Sequence, residues 1–130
     1  MRSDDGYFRI ILSGDVSFRD YAQFERTVDC ILQNIKDDIL VLCGMSRGAE
    51  TLAELYAMNK EYGLIYYPDD WDLFGDNAKV IRDKEMVHAA DAIILFWDGM
   101  DRDTMRMINL ALENGLRGRV RMYRKERGAP

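Results

Sequence analysis

Gly44-Met45-Ser46-Arg47-Gly48-Ala49-Glu50 is the stretch of this chain best equipped to meet an anion. It follows an apolar segment, Val41-Leu42-Cys43, and leads at once into a helical pattern through Leu52, Ala53, Tyr56 and Ala57. At the start of a helix the first amides have no carbonyl partner, so they point at whatever occupies the loop. Glycine lets the backbone approach closely, Ser46 adds a hydroxyl, and Arg47 adds a planar fork of donors that suits a phosphate. Ordinary tight turns also use Gly-x-x-x-Gly, so the loop needs support from the elements around it.

Those elements alternate. Apolar runs predict strands at Phe8 to Ser13, Asp38 to Cys43, Leu64 to Tyr67, Asp91 to Trp97 and Arg119 to Tyr123. Helical spacing joins Tyr21, Phe24, Val28, Ile31, Leu32 and Ile35, then covers Thr51 to Tyr62, with Gly63 placed to end that helix. A weaker helical pattern spans Asn77 to Ala90. The last predicted helix, Asp103 to Asn114, has Met105, Ile108, Ala111 and Leu112 as its inward residues and Gly115 as its stop. Asp69 to Asp76 is polar and aromatic and reads as a long loop. Strand–helix alternation implies right-handed crossovers and a parallel sheet covered on both faces. The fold class is therefore α/β: a small Rossmann-like, doubly wound sheet of five strands in the order 3-2-1-4-5, in one domain over residues 1–130.

In such sheets ligands bind beyond the carboxyl ends of the strands, where the winding reverses. This rule gathers the unusual clusters at one end. Ser13-Gly14-Asp15 follows the first strand and Gly44 to Glu50 the second. Trp71 to Gly75 follows the third, and Asp98-Gly99-Met100-Asp101-Arg102-Asp103-Thr104 the fourth.

Composition narrows the function. Hydrophobic residues at 48% and charged residues at 32% fit a globular chain, and no apolar run reaches the length of a membrane span. The start, Met1-Arg2-Ser3-Asp4-Asp5-Gly6, lacks the apolar core of a signal peptide. Cys30 and Cys43 do not form a close metal-type pair, so two reduced thiols in a cytoplasmic protein are expected. A net charge of -5 opposes general nucleic-acid binding. Against it stands Arg117-Gly118-Arg119-Val120-Arg121-Met122-Tyr123-Arg124-Lys125-Glu126-Arg127. That run reads first as a charged edge strand, which resists pairing with other chains, and second as a basic rim for phosphates.

Several spaced motifs resemble those of one known family. Gly44 to Glu50 is similar to its Gly-Gly-x-x-Gly-Ala-Asp/Glu loop, and Asp70-Trp71 to its Asp-Trp segment. Ala78-x-x-Ile81-Arg82-Asp83-x-x-Met86 resembles its Ala-Gly-x-x-Arg-Asn-x-x-Met pattern. Ala90-Asp91-Ala92 through Phe96-Trp97-Asp98-Gly99, then Thr104, resembles its fourth-strand motif. This is the YspA/YpsA-related branch of the SLOG superfamily, named from DNA-processing and cytokinin-releasing relatives and common in phage and bacterial genomes. The resemblance covers roughly residues 8 to 122, most strongly 40 to 116. It implies a domain that binds a nucleotide or nucleotide-derived ligand. Site residues that follow are Ser13, Gly14, Asp15, Gly44, Ser46, Arg47, Gly48, Ala49, Glu50, Trp71, Arg82, Asp98, Gly99 and Thr104. The chain departs from the pattern at Asp15, where Arg is usual, at Asp83, where Asn is common, and at Asp103, where a Gly-Thr pair is common. A carboxylate at Asp15 would repel a neighbouring phosphate unless paired, and suits ribose hydroxyls instead.

Two enzyme relatives set a test. Phosphoribohydrolases of the cytokinin-releasing group and nucleoside deoxyribosyltransferases carry Gly-Thr-x-x-Glu at the fourth loop. N-glycosidic cleavage develops positive charge at the anomeric carbon, so a carboxylate there is chemically sensible. Counted from Thr104, that position is Met107, whose thioether can be neither nucleophile nor base. If the chain is an enzyme, Glu50 and Asp98 are the carboxylates left to act; helix capping, loop solvation or sugar recognition are the simpler roles for them and for Asp101. His88, the only histidine, lies inside a helical segment away from the strand ends, and no metal-ligand spacing is evident. Phe96 and Trp97 end an apolar strand and compete for the core, whereas Trp71 and Phe74 are open to either base stacking or packing. The leading expectation is a cytoplasmic module binding a nucleotide-derived small molecule, with no cofactor needed for folding and no membrane or nucleic-acid partner. The alternatives are a glycosidic hydrolase or transferase and a holder of single-stranded nucleic acid. Self-association is compatible with a sheet of this size, but the sequence does not locate the exposed apolar helix face it would use.

Overall fold

The computed structural model describes residues 5–14, 18–44, 49–68 and 71–122. Its strands are β1 (Tyr7–Gly14), β2 (Asp38–Cys43), β3 (Gly63–Tyr66), β4 (Ala92–Trp97) and β5 (Arg117–Met122). Its helices are α1 (Tyr21–Leu32), α2 (Ala49–Lys60), the single turn α3 (Trp71–Phe74), α4 (Ala78–Ala89) and α5 (Arg102–Glu113). One five-stranded sheet runs in the order β3-β2-β1-β4-β5, with every neighbouring pair parallel. The expected α/β class and strand order are therefore present.

β1 takes the centre because it is apolar on both faces: Ile10, Ile11 and Leu12 are each at most 1% exposed. Its Phe8, Ile10 and Leu12 meet α1 and α2 through Phe24, Val28, Ala53, Tyr56 and Ala57. Phe96 of β4 closes that layer, stacked on Phe18 with ring centroids 4.6 Å apart and on Phe24 at 5.0 Å. The Tyr56 hydroxyl donates to Asp29 at 2.6 Å and ties α2 to α1; burial is the main cause that raises its pKa, and the Asp29 hydrogen bond adds to it. The opposite face packs Met86 and Val87 of α4 and Met107 and Ala111 of α5 over Ile11, Leu42, Ile93 and Leu95. Thus α1 and α2 cover one face and α4 and α5 the other, as a winding that reverses at β1 requires.

Three local expectations are corrected. The expected loop Asp69 to Asp76 is not irregular from residue 71 on: it holds α3, followed by a 3-10 turn, Gly75–Asn77, entered through Gly75 at φ 55°. A four-residue helix is too short to show periodicity, so composition alone could not reveal it. Gly63 does not end α2. Glu61 takes the left-handed conformation (φ 60°) and Tyr62 N–H donates to Ala57 O at 2.9 Å, which closes the helix. Gly63 instead starts β3, where a Cβ would lie 2.4 Å from Leu40 Cδ2, so it serves the close approach of β3 to β2. In α5 the inward residues are Thr104, Met107 and Ala111, with Ile108 at the margin, whereas Met105 is 48% and Leu112 71% exposed. The helical period was right and its phase was wrong: an inward threonine looks polar until its hydroxyl has a partner.

β5 is an edge strand, with Arg117, Arg119 and Arg121 in register with Ala92, Ile94 and Phe96 and all three exposed. This is the charged edge expected of the basic run as far as residue 122; residues beyond it lie outside the described ones. Among the described residues no helix is long and apolar enough to cross a membrane.

Candidate functional site

The winding reverses between β1 and β4, and a cavity of about 100 Å³ opens where those strands end. Ser13 and Gly14 of β1 and Leu95 of β4 supply its floor, in direct register: Ser13 pairs with Leu95. α4 contributes Lys79, Arg82 and Asp83, and α5 contributes Asp103, Thr104, Arg106 and Met107.

The charged wall is a chain of ion pairs. Asp83, 4% exposed, receives Arg82 Nε at 3.1 Å and Arg106 Nη2 at 3.3 Å. Arg106 Nη1 also reaches Asp103 at 3.2 Å, and Asp103 takes Lys79 Nζ at 2.8 Å. The Lys79 ammonium holds the Asp103 carboxyl below the usual carboxylate range, against the opposing effect of partial burial. Arg82 Nη1 donates to Gly44 O at 2.5 Å, a charge-assisted bond that fixes the end of β2 to α4. Arg106 Nε is buried and has no hydrogen-bond partner among the described residues.

The loop after β4 braces itself. One Asp98 oxygen accepts from Met100 N–H at 2.8 Å and Asp101 N–H at 2.9 Å, and Gly99 takes φ 90°, a turn conformation that suits glycine. Asp101 is the N-cap of α5: one of its carboxylate oxygens accepts from Thr104 N–H at 2.9 Å and Thr104 Oγ1 at 2.7 Å. Trp97 Nε1 donates to Asp101 O at 3.0 Å. Asp98 and Asp101 therefore have local work in the turn and the cap, the simpler role foreseen for them.

The sequence-predicted residues divide into groups. Ser13, Gly14, Arg82 and Thr104 line the cavity, and Gly44 touches it through Arg82. Asp98 and Gly99 shape the adjoining loop. Ala49 and Glu50 open α2 and Trp71 opens α3, placed here by backbone alone. Asp15, Ser46, Arg47, Gly48 and Asp70 lie outside the described residues. Lys79 and Arg106 were missed because they come from different helices and no spacing joins them. Phe74 is 39% exposed, Phe96 is core and Trp97 is half-buried. His88 is exposed, with Nε2 3.2 Å from Asn114 Oδ1, and among the described residues no cluster could hold a metal ion. Met107 is 5% exposed and forms an apolar part of the cavity wall.

No curated protein and no solved structure matches the chain. A family model does, over residues 8–74, which runs from β1 through the glycine-bracketed segment to α3. The motifs noted on α4 and β4 lie past the matched span. A match over more than half of the 130 residues, on a parallel sheet with its cavity at the point of reversal, means that the chain belongs to the YspA, cpYpsA-related SLOG family.

Proposed function

We propose that this protein binds a nucleotide or nucleotide-derived small molecule at the carboxyl ends of β1, β2 and β4, and acts as a ligand-binding or sensing module in the cytoplasm. The observation that carries the reading is the cavity at the β1–β4 reversal, walled by Lys79, Arg82 and Arg106, in a chain of the SLOG family. Glycines at the strand ends allow close approach, and the amides that open α2 suit a phosphate held with Arg47. Ser13 and Thr104 offer hydroxyls on the wall suited to sugar or base edges. Free thiols at exposed Cys30 and buried Cys43 fit a reducing compartment.

Binding is favoured over glycosidic cleavage by the groups beside the cavity. Where the enzyme relatives have a glutamate, Met107 presents a thioether. Asp83 and Asp103 are in ion pairs, and Asp98 and Asp101 hold the turn and the cap. A general acid or nucleophile would have to leave one of those partners first.

A thermal-shift screen over nucleoside mono-, di- and triphosphates, NAD and ADP-ribose tests the reading. A ligand at a hundred times its Kd stabilises the native state by about 2.7 kcal/mol, a shift readily seen. Stabilisation by at least one of these compounds, and none by free ribose or bases alone, is expected. A flat response to the whole panel at millimolar concentration would defeat the proposal.

A further inference from the structure

The outward face of α5 supplies the exposed apolar helix surface that the sequence alone does not locate. Met105 and Leu112, 48% and 71% exposed, are one heptad apart and so lie on one line of the helix. Beside them Arg102 and Glu113 are exposed and form no ion pair among the described residues. Met105, Arg102 and Glu113, with Leu110 and Val80, edge an open groove of about 550 Å³ between α4 and α5, and Leu112 lies outside it.

The charges say what covers this face. Arg102 opens α5 and Glu113 ends it. A cation at a helix N-terminus and an anion at the C-terminus both oppose that helix's own macrodipole. Each would be favourable at the other end of an identical helix running the opposite way. The two residues are eleven positions apart on one line, about 16 Å along the axis. A two-fold axis through the middle of α5, near Ile108, sets Arg102 against Glu113 of the second copy and Met105 beside the second copy's Leu112. Each pair then occurs twice. The ionic and apolar pairs share their centre to within one residue, so one register satisfies both. A parallel arrangement would instead bring Arg102 against Arg102 and Glu113 against Glu113. The face is complementary to itself only in the antiparallel sense, which is the property of an isologous contact. We propose that the protein forms a two-fold dimer in which α5 packs antiparallel on α5 of a second copy, with Val80 and Lys84 of α4 at the margin.

Sedimentation velocity on the full chain, from micromolar to submillimolar concentration, reads the outcome. A reversible monomer–dimer equilibrium is expected. Leu112→Asp should leave helical circular dichroism unchanged and abolish the dimer. Arg102→Glu or Glu113→Arg alone should each weaken it about tenfold, by setting like charges opposite one another. The double exchange, Arg102→Glu with Glu113→Arg, should restore it to near the parent value. Both substitutions suit the helix dipole, so loss of folding does not confuse the single variants. A monomer throughout the range, a dimer indifferent to Leu112→Asp, or a double exchange no better than the single ones would each overturn the proposal.

Discussion

Replacing Arg82 by methionine separates a structural role from a ligand-binding one. The Arg82 side chain is 5% exposed and joins α4 to the end of β2. Its Nη1 bond to Gly44 O, at 2.5 Å, anchors the end of β2, and its Nε bond to Asp83, at 3.1 Å, neutralises a carboxylate that is itself 5% exposed. Methionine keeps most of the volume and removes every donor. Breaking a buried ion pair costs about 3–5 kcal/mol, because the surviving charge stays in a poor environment. Arg106 remains within 3.3 Å of Asp83, so the lower end applies and we expect a loss of about 3 kcal/mol. With a urea m-value of about 2 kcal/mol/M, the midpoint falls by about 1.5 M with m unchanged. A domain of ordinary stability, about 5–15 kcal/mol, remains folded after that loss. Adding Asp83→Leu should recover at least half of it, since an apolar replacement of the whole pair is often neutral. If Arg82→Met unfolded at the parent midpoint, within about 0.5 kcal/mol, the buried-bridge argument would be wrong. A loss of ligand affinity alone would then place Arg82 in the binding site.

Further outcomes follow from the site and its surroundings. Arg47→Ala should weaken binding of a phosphate-bearing ligand by roughly ten- to a hundredfold, the loss of a charged contact of about 1.5–3 kcal/mol, with the thermal midpoint of the free protein unchanged; equal titration curves by calorimetry would remove Arg47 from the site. Purified protein should leave nucleoside monophosphates, NAD and ADP-ribose intact over long incubation, as judged by chromatography. Release of free base that Glu50→Gln or Asp98→Asn abolishes would favour the hydrolase. The Asp103 carboxyl titrates below its ordinary value because of Lys79, so its contribution is present above the unfolded pKa of about 4 and is lost as pH falls through the lower folded value. Asp103→Asn should therefore flatten the acid limb of the stability curve below about pH 4, and an unchanged limb in acid denaturation would count against the pair. The Tyr66 hydroxyl, held by Glu54, is pushed up to about 12. In an alkaline absorbance titration the Tyr66→Phe difference should show one tyrosine ionising near pH 12, and a difference centred at pH 10 would refute the contact.

Much of the architecture is local information, and the sequence alone carried it. Alternating apolar runs and helical stripes specify β1 to β5 and the helices between them, and the right-handed crossover then leaves few arrangements, the observed order among them. The ends of the strands follow from the same pattern, so Ser13-Gly14, Gly44 and Asp98-Gly99 are legible in the sequence as residues at the carboxyl ends of β1, β2 and β4. The tertiary structure decided what periodicity cannot express. The phase of α5 is set by its packing: Met107 and Ala111 close on Ile11, Ile93 and Leu95, Thr104 is buried with its hydroxyl bonded to Asp101, and Met105 and Leu112 are left outside. The ionic chain Lys79–Asp103–Arg106–Asp83–Arg82 joins α4 to α5 across the β4 crossover. Arg82 had the type of a ligand residue, yet its commitment to Gly44 O, 38 positions away, emerges only when β2 and α4 are packed. Side-chain spacing governs which residues share a face within one element. The pairing of charges between elements depends on which side chains the packing brings together, and that contact exists only in the folded chain.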